Sequence, residues 1–587
     1  MFSSNGRVIK TLTRKTKRVF RRSAKHASEQ LVEKANNAYL ARNRIVSWML
    51  AVAGLLFLAG LQYIWYQGIY KEQAFVNGGV YAEATLGKIS TLNPLYASTS
   101  SEKAASRLIF SRLFSYDVTG NLKGDLAKSL KKSDNGKIYT VTLRSDAKWH
   151  DGKPVTVDDV VFTVQTIKDT RSRSLLRAGW SDITITKRDG KVQFTLPAAY
   201  PGFKDLLTFP VLPSHILGKI EPGQIYEDDF SSKPIGSGPF KFQLSQDLSG
   251  DDQIVHLVKN AEYYGGAAKL DRVQIHSTSS RGEIAKSLRS GEVSATADLT
   301  STYRQSLSDD SIFLREASVN RGVYAFLNMS SPILKDKNVR LALQAGVDTG
   351  NVRISLGANT PALDMPVLES QIAIDIPTPV KVNRNEAVKK FEAAGLKKNK
   401  KGELIDAEGE QVKLRLVTID DANYKKVASS LATEIEQLGI KINKVVFDTG
   451  DASKDFLQEI LQPRNYDILV YEIDLGADPD TFAYWHSSQM GGNGLNLSNY
   501  SDALTDDILS SARTTDNQAL RKAKYKAFVE RWYKDAPAIG LYQVQMQYFY
   551  NKNVRTFSED VRLVSALDRF TDVTYWAASK ADVYKTP

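Results

Sequence analysis

The chain opens with two helical patterns of opposite character. Over residues 20–39, Phe20, Ala24, Ala27, Leu31, Ala35, Ala38 and Tyr39 recur at helical spacing with basic residues between them. Residues 45–70 then carry no charge at all, and their centre reads Trp48-Met-Leu-Ala-Val-Ala-Gly-Leu-Leu-Phe-Leu-Ala-Gly-Leu61. Roughly 20 such residues in a helix span a ~30 Å hydrocarbon layer. After Gly78-Gly79 the texture becomes short alternating strands and amphipathic helices. Strands are expected at 80–86, 137–144 and 191–196, with Asp189-Gly190 as a hairpin turn. Helices are expected at 382–396, with Ala387, Val388, Phe391 and Ala394 on one face, and at 424–438. Gly395 and Gly439 close them, and a strand follows the second at 440–447. Helix, glycine, strand is the grammar of an α/β fold.

Charge sharpens this division. The chain has 587 residues and a formal net charge of +12, and residues 1–44 hold twelve Lys/Arg against two Glu. Nearly all of the excess therefore sits in the N-terminal arm, so the high pI says nothing about the folded body and a nucleic-acid role is not expected. Arg42 and Arg44 abut the apolar run. Trp48 stands near one end of it, and Tyr63, Trp65 and Tyr66 near the other. The positive-inside bias puts residues 1–44 in the cytoplasm and residues 71–587 outside, with residues 45–70 as a retained single-pass anchor. A basic region of 44 residues is too long for an ordinary signal-peptide n-region. Leu61 stands where Leu58-Ala59-Gly60 would place a lipidated Cys, which rules out lipid attachment there. The arm itself fits either an amphipathic helix on an anionic leaflet or a solvated tail.

Enzymatic chemistry finds little support. With no cysteine, thiol nucleophiles, Fe–S clusters and Cys-based zinc sites are excluded. No His-x-x-x-His pair or Walker loop occurs, and Gly236-Ser-Gly238 is not a nucleophile elbow. No enzyme activity and no cofactor are expected. Asp151-Gly152 reads as a tight turn, and Thr156-Val-Asp-Asp159 as a helix cap. Gly236-Ser-Gly-Pro239 reads as a crossover between lobes.

Several segments, in order, resemble the family 5 solute-binding proteins of ABC importers, the dipeptide, oligopeptide and nickel binders. They are Thr91-Leu-Asn-Pro-Leu95; Ser133 to Arg144 running into Lys148-Trp-His-Asp-Gly-Lys-Pro-Val155; Val211-Leu-Pro-Ser-His215; Pro234-Ile-Gly-Ser-Gly-Pro-Phe240; Lys259-Asn-Ala-Glu-Tyr-Tyr-Gly265; Tyr324-Ala-Phe-Leu-Asn328; Asp478-Pro-Asp480; and Ala536-Pro-Ala-Ile-Gly-Leu-Tyr542. The collinear match covers about residues 79–545.

The resemblance implies an α/β, two-lobed periplasmic-binding-protein type II (Venus-flytrap) fold with an extra subdomain, here preceded by one transmembrane helix. Lobe I would comprise 78–109, 234–322 and 546–587, the subdomain 110–233, and lobe II 323–545. The implied function is capture of a small peptide between the lobes for an ABC permease and its ATPase. Binding a sugar or nickel complex instead, or signalling as a tethered receptor, are the alternatives. By resemblance Asp474, in the loop before Asp478-Pro-Asp480, pairs with the ligand ammonium, although it sits one residue off the usual spacing. Tyr471 stands at a cleft aromatic, Ser98 and Thr99 lie in an early cleft loop, and Asn328, Trp485 and Tyr542 complete the expected substrate-binding set. Asp478 and Asp480 are expected to shape the loop, and Arg340 to be structural.

Overall fold

A computed structural model of the chain describes residues 5–248, 250–308, 311–374, 381–450, 453–558 and 561–584. It divides into two units, residues 1–74 with 580–587, and residues 75–579. In the first, helix Asn5–Leu40 is followed after Ala41 by helix Arg42–Tyr70. Residues 42–68 are long and apolar enough to cross a membrane, and none of that stretch is buried against protein. The strand that begins at Lys71 pairs with the C-terminal strand of the chain, and Lys71 Nζ lies 2.8 Å from Asp582 Oδ2.

The second unit is organised by one ten-stranded mixed sheet. Its strands run in the order Lys441–Phe447, Lys413–Ile419, Ile468–Asp474, Ile312–Leu327, Ala538–Asn551, Ala295–Thr296, Val80–Leu86, Arg272–Thr278, Gln253–Lys259 and Phe240–Asp247. The two long strands in the middle, Ile312–Leu327 and Ala538–Asn551, are antiparallel. On one side of them Lys413–Ile419 runs parallel to both of its neighbours, and on the other Val80–Leu86 runs parallel to Arg272–Thr278.

The long strands contribute to four buried clusters among the described residues, and two of these divide the strands end from end. Ala317, Val319, Met546 and Tyr548 pack with Tyr81, Leu108, Val255 and Ile275. Val323, Ala325, Leu541 and Tyr542 pack instead with Leu343, Leu431 and Val470. The change of core falls where the ladder breaks: Ser318 pairs with Gln545 and Gly322 with Gln543, so three residues of one strand stand against Val544 of the other. Such a bulge leaves backbone groups outside the ladder and bends the strand. A Cβ at Gly322 would lie 2.3 Å from Leu363 Cδ2, so this position needs glycine's missing side chain.

The remaining elements follow the sequence closely. The turn at Asp189 (φ 50°) and Gly190 (φ 70°) joins Thr184–Arg188 to Lys191–Thr195 in a four-stranded antiparallel sheet of the insertion. Thr156 and Asp159 form a capping box on helix Val157–Lys168. The helix expected at 382–396 spans Arg384–Ala393, because Asn383 accepts from Glu386 N and starts it there. Residues 375–380, just before it, lie outside the described residues. Gly236-Ser-Gly-Pro239 departs from expectation. Gly238 N donates to Ile109 O at 2.8 Å, and a Cβ at Gly236 would meet the same carbonyl at 2.0 Å. This crossover thus joins the insertion to the first core, not one clamping body to the other.

Candidate functional site

In open parallel sheets, ligands bind in the crevice beyond the carboxyl ends of the strands, where successive crossovers diverge. Here the parallel strands of both cores end at one such crevice. Leu86 and Thr278 end strands of the first core, and Ile419 and Asp474 end strands of the second. Helices start within three residues of the ends at Thr278 and Ile419, and a longer loop leads from Leu86 to a third. Thr99 caps helix Ser100–Ile109, Ser280 caps Arg281–Ser290, and Asp421 caps Ala422–Glu436.

Arg281 Nη2 faces Asp421 Oδ2 across the crevice at 3.9 Å, and Ser301 Oγ reaches Asn423 Oδ1 at 3.4 Å. Beside these contacts lies a cavity of about 420 Å³ lined by Arg281, Arg321, Tyr424, Tyr471, Glu472 and Tyr542, among others. Both cores and both long strands contribute to its wall. Its charges are pre-arranged: Arg321 Nη1 sits 2.9 Å from Glu472 Oε1, and Arg304 Nη2 sits 2.6 Å from Glu316 Oε1. A volume of this size, part apolar and part polar, suits a small organic ligand.

The insertion also meets helix Ala503–Thr514 and the residues that follow it. Lys132 Nζ pairs with Asp516 Oδ2 at 2.5 Å, and the Arg513 guanidinium lies 5.2 Å from the centre of the Tyr200 ring. The Asp205 carboxylate accepts from the Asp478 backbone N–H.

Of the residues expected in the site, Tyr471 and Tyr542 line the cavity. Asp474 ends its strand in register with Arg321 and remains exposed. Its Oδ1 accepts from Gly476 N at 2.9 Å, and Tyr484 Oη donates to its carbonyl at 2.7 Å. The surrounding protein desolvates this carboxyl and raises its pKa, against the Gly476 hydrogen bond and the Arg321 charge. It is therefore a carboxylate that solvent reaches but hydrates poorly, and a cation would satisfy it.

Ser98 and Thr99 do not line this cavity, and their polar groups are occupied. Both backbone amides and the Ser98 hydroxyl donate to Glu102 Oε2, and Thr99 Oγ1 accepts from Glu102 N.

Two expected residues need correction. Trp485 is fully buried in an aromatic cluster with Tyr324, Phe326 and Trp532. Asn328 is buried too, its Nδ2 donating to the carbonyls of Arg464 and Tyr466. In both, the motif marks packing: an indole too large for the surface and an amide that ties two chain segments together.

The acidic loop behaves as structure. Asp478 is clamped by Arg521, and Asp480 Oδ2 lies 2.9 Å from Arg513 Nε. Arg340 is buried and donates to the carbonyls of Leu334, Lys335 and Asp535. Sequence reasoning missed Arg281, Arg321, Asp421 and Glu472. Asp421 and Arg281 could have been found as residues at the helix starts that follow the carboxyl ends of parallel strands. Arg321 and Glu472 carry no local signal, because they meet only through pairing across the sheet. Among the described residues no cluster of three or more His, Cys, Asp or Glu could hold a metal ion.

Comparison with known proteins agrees with this geometry. The family described as bacterial extracellular solute-binding proteins, family 5 Middle, matches residues 121–494. The chain is 26% identical to the oligopeptide-binding protein AppA of Bacillus subtilis (strain 168) over 478 residues, which is 79% of this chain and 86% of AppA. It is likewise 26% identical to the probable D,D-dipeptide-binding periplasmic protein DdpA of Escherichia coli (strain K12), over 80% of this chain and 89% of DdpA. Among solved structures, NikZ from Campylobacter jejuni in complex with Ni(L-His) superposes with a TM-score of 0.71 at 26% identity, covering 85% of this chain and 99% of NikZ. The Bacillus subtilis AppA structure, in complex with a nonapeptide, superposes with a TM-score of 0.68 at 24% identity, covering 86% and 100%, and shows the shared fold.

Proposed function

The chain belongs to the family 5 bacterial extracellular solute-binding proteins, and from that premise we propose that it is a membrane-anchored binding protein that captures small peptides and delivers them to an ABC permease. The observation that carries the reading is the pair of long strands shared by two cores. Strand ends of both cores face one crevice, so rotation about residues 319–322 and 543–545 would open and close it. A ligand that touches both cores stabilises the closed arrangement by its extra contacts there. Relatives named as oligopeptide- and dipeptide-binding proteins favour a peptide over other solutes.

On this reading lobe I comprises residues 78–109, 234–322 and 546–587, with 110–233 as its subdomain, and lobe II comprises 323–545. Asp474 pairs with the peptide α-ammonium, and Tyr471 and Tyr542 contact the peptide body. Helix Arg42–Tyr70 holds the protein in the membrane with the basic arm inside and the binding unit outside. Tethering keeps the binding unit near its permease at high effective concentration.

The experiment has two arms. Native mass spectrometry of the full chain, purified from its host in detergent, identifies the ligand that co-purifies, and peptides are expected. Protease treatment of intact cells with the outer face accessible is expected to remove the binding unit and leave a membrane-embedded N-terminal fragment. A non-peptide ligand overturns the first part, and a protected binding unit overturns the second.

A further inference from the structure

Helix Asn5–Leu40 lies outside the unit that holds the crevice, and its two faces differ in character. Nine of its ten Lys/Arg fall between Arg7 and Lys25, and no Asp or Glu stands among them. At 3.6 residues per turn, the positions of Arg14, Arg18, Arg22 and Lys25 share one face and those of Ile9, Phe20, Ala27 and Leu31 the other. Among the described residues nothing covers the apolar face: Ala24, Ala27, Leu31 and Ala35 are all exposed, Leu31 with 67% of its surface. The acids of the helix neutralise little of the charge. Glu29 faces Lys25 at 3.9 Å and His26 at 3.5 Å, while Lys17, Arg21 and Lys34 have no ion pair among the described residues.

The helix ends beside the segment that can cross a bilayer. Ala41, at φ −84° and ψ −2°, separates it from helix Arg42–Tyr70. Ala41 N donates to Asn37 O at 2.8 Å and Ala41 O accepts from Ile45 N at 2.9 Å, so the joint is one residue whose ψ departs from helical values, not a loop. The Arg42 guanidinium lies 4.8 Å from the centre of the Tyr39 ring, an aromatic and a cation of the kind that marks a bilayer boundary. The apolar face thus starts within a few residues of a membrane surface. A second copy of the chain fits that face poorly. A coiled-coil seam through Phe20, Ala24, Ala27 and Leu31 has Lys17 and Lys34 as its next positions at either end. Basic residues flanking an apolar face suit an anionic bilayer instead, because their long side chains reach back to the headgroups.

We propose that helix Asn5–Leu40 binds anionic phospholipid on the membrane face from which helix Arg42–Tyr70 enters, its apolar face sunk at the headgroup boundary and its Lys/Arg on the headgroups. The proposal rests on the reading of helix Arg42–Tyr70 as a membrane anchor. Ala41 is the joint at which the arm turns onto the surface, and the backbone groups freed by that turn meet water and headgroups that can take them up. Attraction between a basic segment and an anionic leaflet grows with each Lys/Arg and fades within a Debye length. Binding of the arm therefore depends on lipid charge and on salt, which insertion of the apolar span does not. The arm is a second attachment, selective for anionic lipid, on the membrane face opposite the binding unit.

The chain has no cysteine, so a single introduced thiol carries a spin label without background. The full chain, labelled at Ala27→Cys or at Asn36→Cys on the opposite face, is placed in nanodiscs of phosphatidylcholine alone or of an equal mixture with phosphatidylglycerol. Accessibility of each label to oxygen and to a water-soluble nickel chelate is then read by electron paramagnetic resonance. In the mixed lipid the Ala27→Cys label is expected to be reached by oxygen and shielded from the chelate, and the Asn36→Cys label to stay in water. In phosphatidylcholine, or at high salt, both are expected to be in water. Changing Arg14, Arg18, Arg21 and Arg22 together to Gln should lower the ratio of immersed to solvated label at least tenfold in the mixed lipid. Two labels equally open to the chelate in the mixed lipid overturn the proposal, and so does spin–spin broadening at Ala27→Cys that is the same in both lipids, which would mean that a second copy covers the face. If the chain does not stay in the nanodiscs, the anchor reading fails separately, and the same labels are read with vesicles of the equal mixture. Immersion of the Ala27→Cys label there upholds the lipid site, and its absence overturns it.

Discussion

Arg281 and Asp421 stand on different cores and face one another across the crevice, Nη2 to Oδ2 at 3.9 Å. Each is also anchored on its own side. Arg281 Nε donates to Asp298 O at 3.0 Å, and Asp421 caps helix Ala422–Glu436. Asp298 in turn accepts from Ser100 Oγ at 3.1 Å, so the closing contact is tied to the first turn of helix Ser100–Ile109.

On the proposed hinge reading, opening the crevice breaks this ion pair, and Arg281→Gln should then raise the dissociation rate of ligand. The pair is long and Arg281 keeps 40% of its side-chain surface, so the effect is bounded at about 1 kcal/mol, or roughly fivefold in affinity. Raising the salt concentration should erase the difference between variant and wild type. Stopped-flow ligand release at low and high salt checks it, and a salt-independent difference would mean that Arg281 acts through ligand contact instead.

Asp474 calls for a different signature. Its exposed but poorly hydrated carboxyl should favour a cation by more than a surface acid would. Asp474→Asn is expected to weaken binding of a peptide with a free α-ammonium by tenfold or more, and to leave the N-acetylated peptide, already weak, unchanged. An equal loss for both peptides would place the ligand ammonium elsewhere.

Much of this architecture is legible in the sequence, because local rules dictate it. The Thr156–Asp159 cap, the Asp189-Gly190 turn and the glycine after helix Ala422–Glu436 each depend on a few adjacent residues. The long strands that connect the two cores are not legible in this way. Ile312–Leu327 alternates across two cores, and its break is defined only against Val544, more than two hundred residues away. Site residues divide likewise. Tyr471 and Tyr542 carry over from motif to cavity, whereas Trp485 and Asn328 sit in the same motifs for packing reasons.

The first core contains an ion pair that should dominate stability measurements. Arg569 Nη2 lies 2.5 Å from Glu83 Oε1, with 4% and 0% of the side chains exposed, and Tyr81 Oη donates to Glu83 Oε2 at 2.5 Å. Removing one partner strands the other charge away from water, which costs about 3–5 kcal/mol. Arg569→Met should therefore lower the urea midpoint sharply, whereas the double change Arg569→Met with Glu83→Leu should recover part of the loss. A single variant as stable as the wild type would mean that water or a local rearrangement neutralises Glu83.

His150 supplies a pH dependence with a definite sign. Its ring is half-buried, with Nε2 facing Gly238 O at 3.1 Å and Nδ1 accepting from Gly236 N at 3.2 Å. The neutral imidazole satisfies both, one nitrogen donating and the other accepting. Protonation would put a second hydrogen on Nδ1, directly against the Gly236 N–H, in a site that already disfavours charge. Burial, opposed by the Gly238 contact and aided by Lys241, lowers the pKa to about 4. The unfolded chain, with an ordinary histidine near 6.5, binds the proton more readily. Stability from this residue is thus complete above about pH 6.5 and is lost progressively as the pH falls toward 4, by about 3 kcal/mol in all. Urea unfolding of the wild type and of His150→Gln between pH 7 and 4 should show the gap between them narrowing with acid, since the glutamine amide can donate and accept without titrating. A gap that stays constant over that range would mean that the ring protonates in the folded protein without penalty.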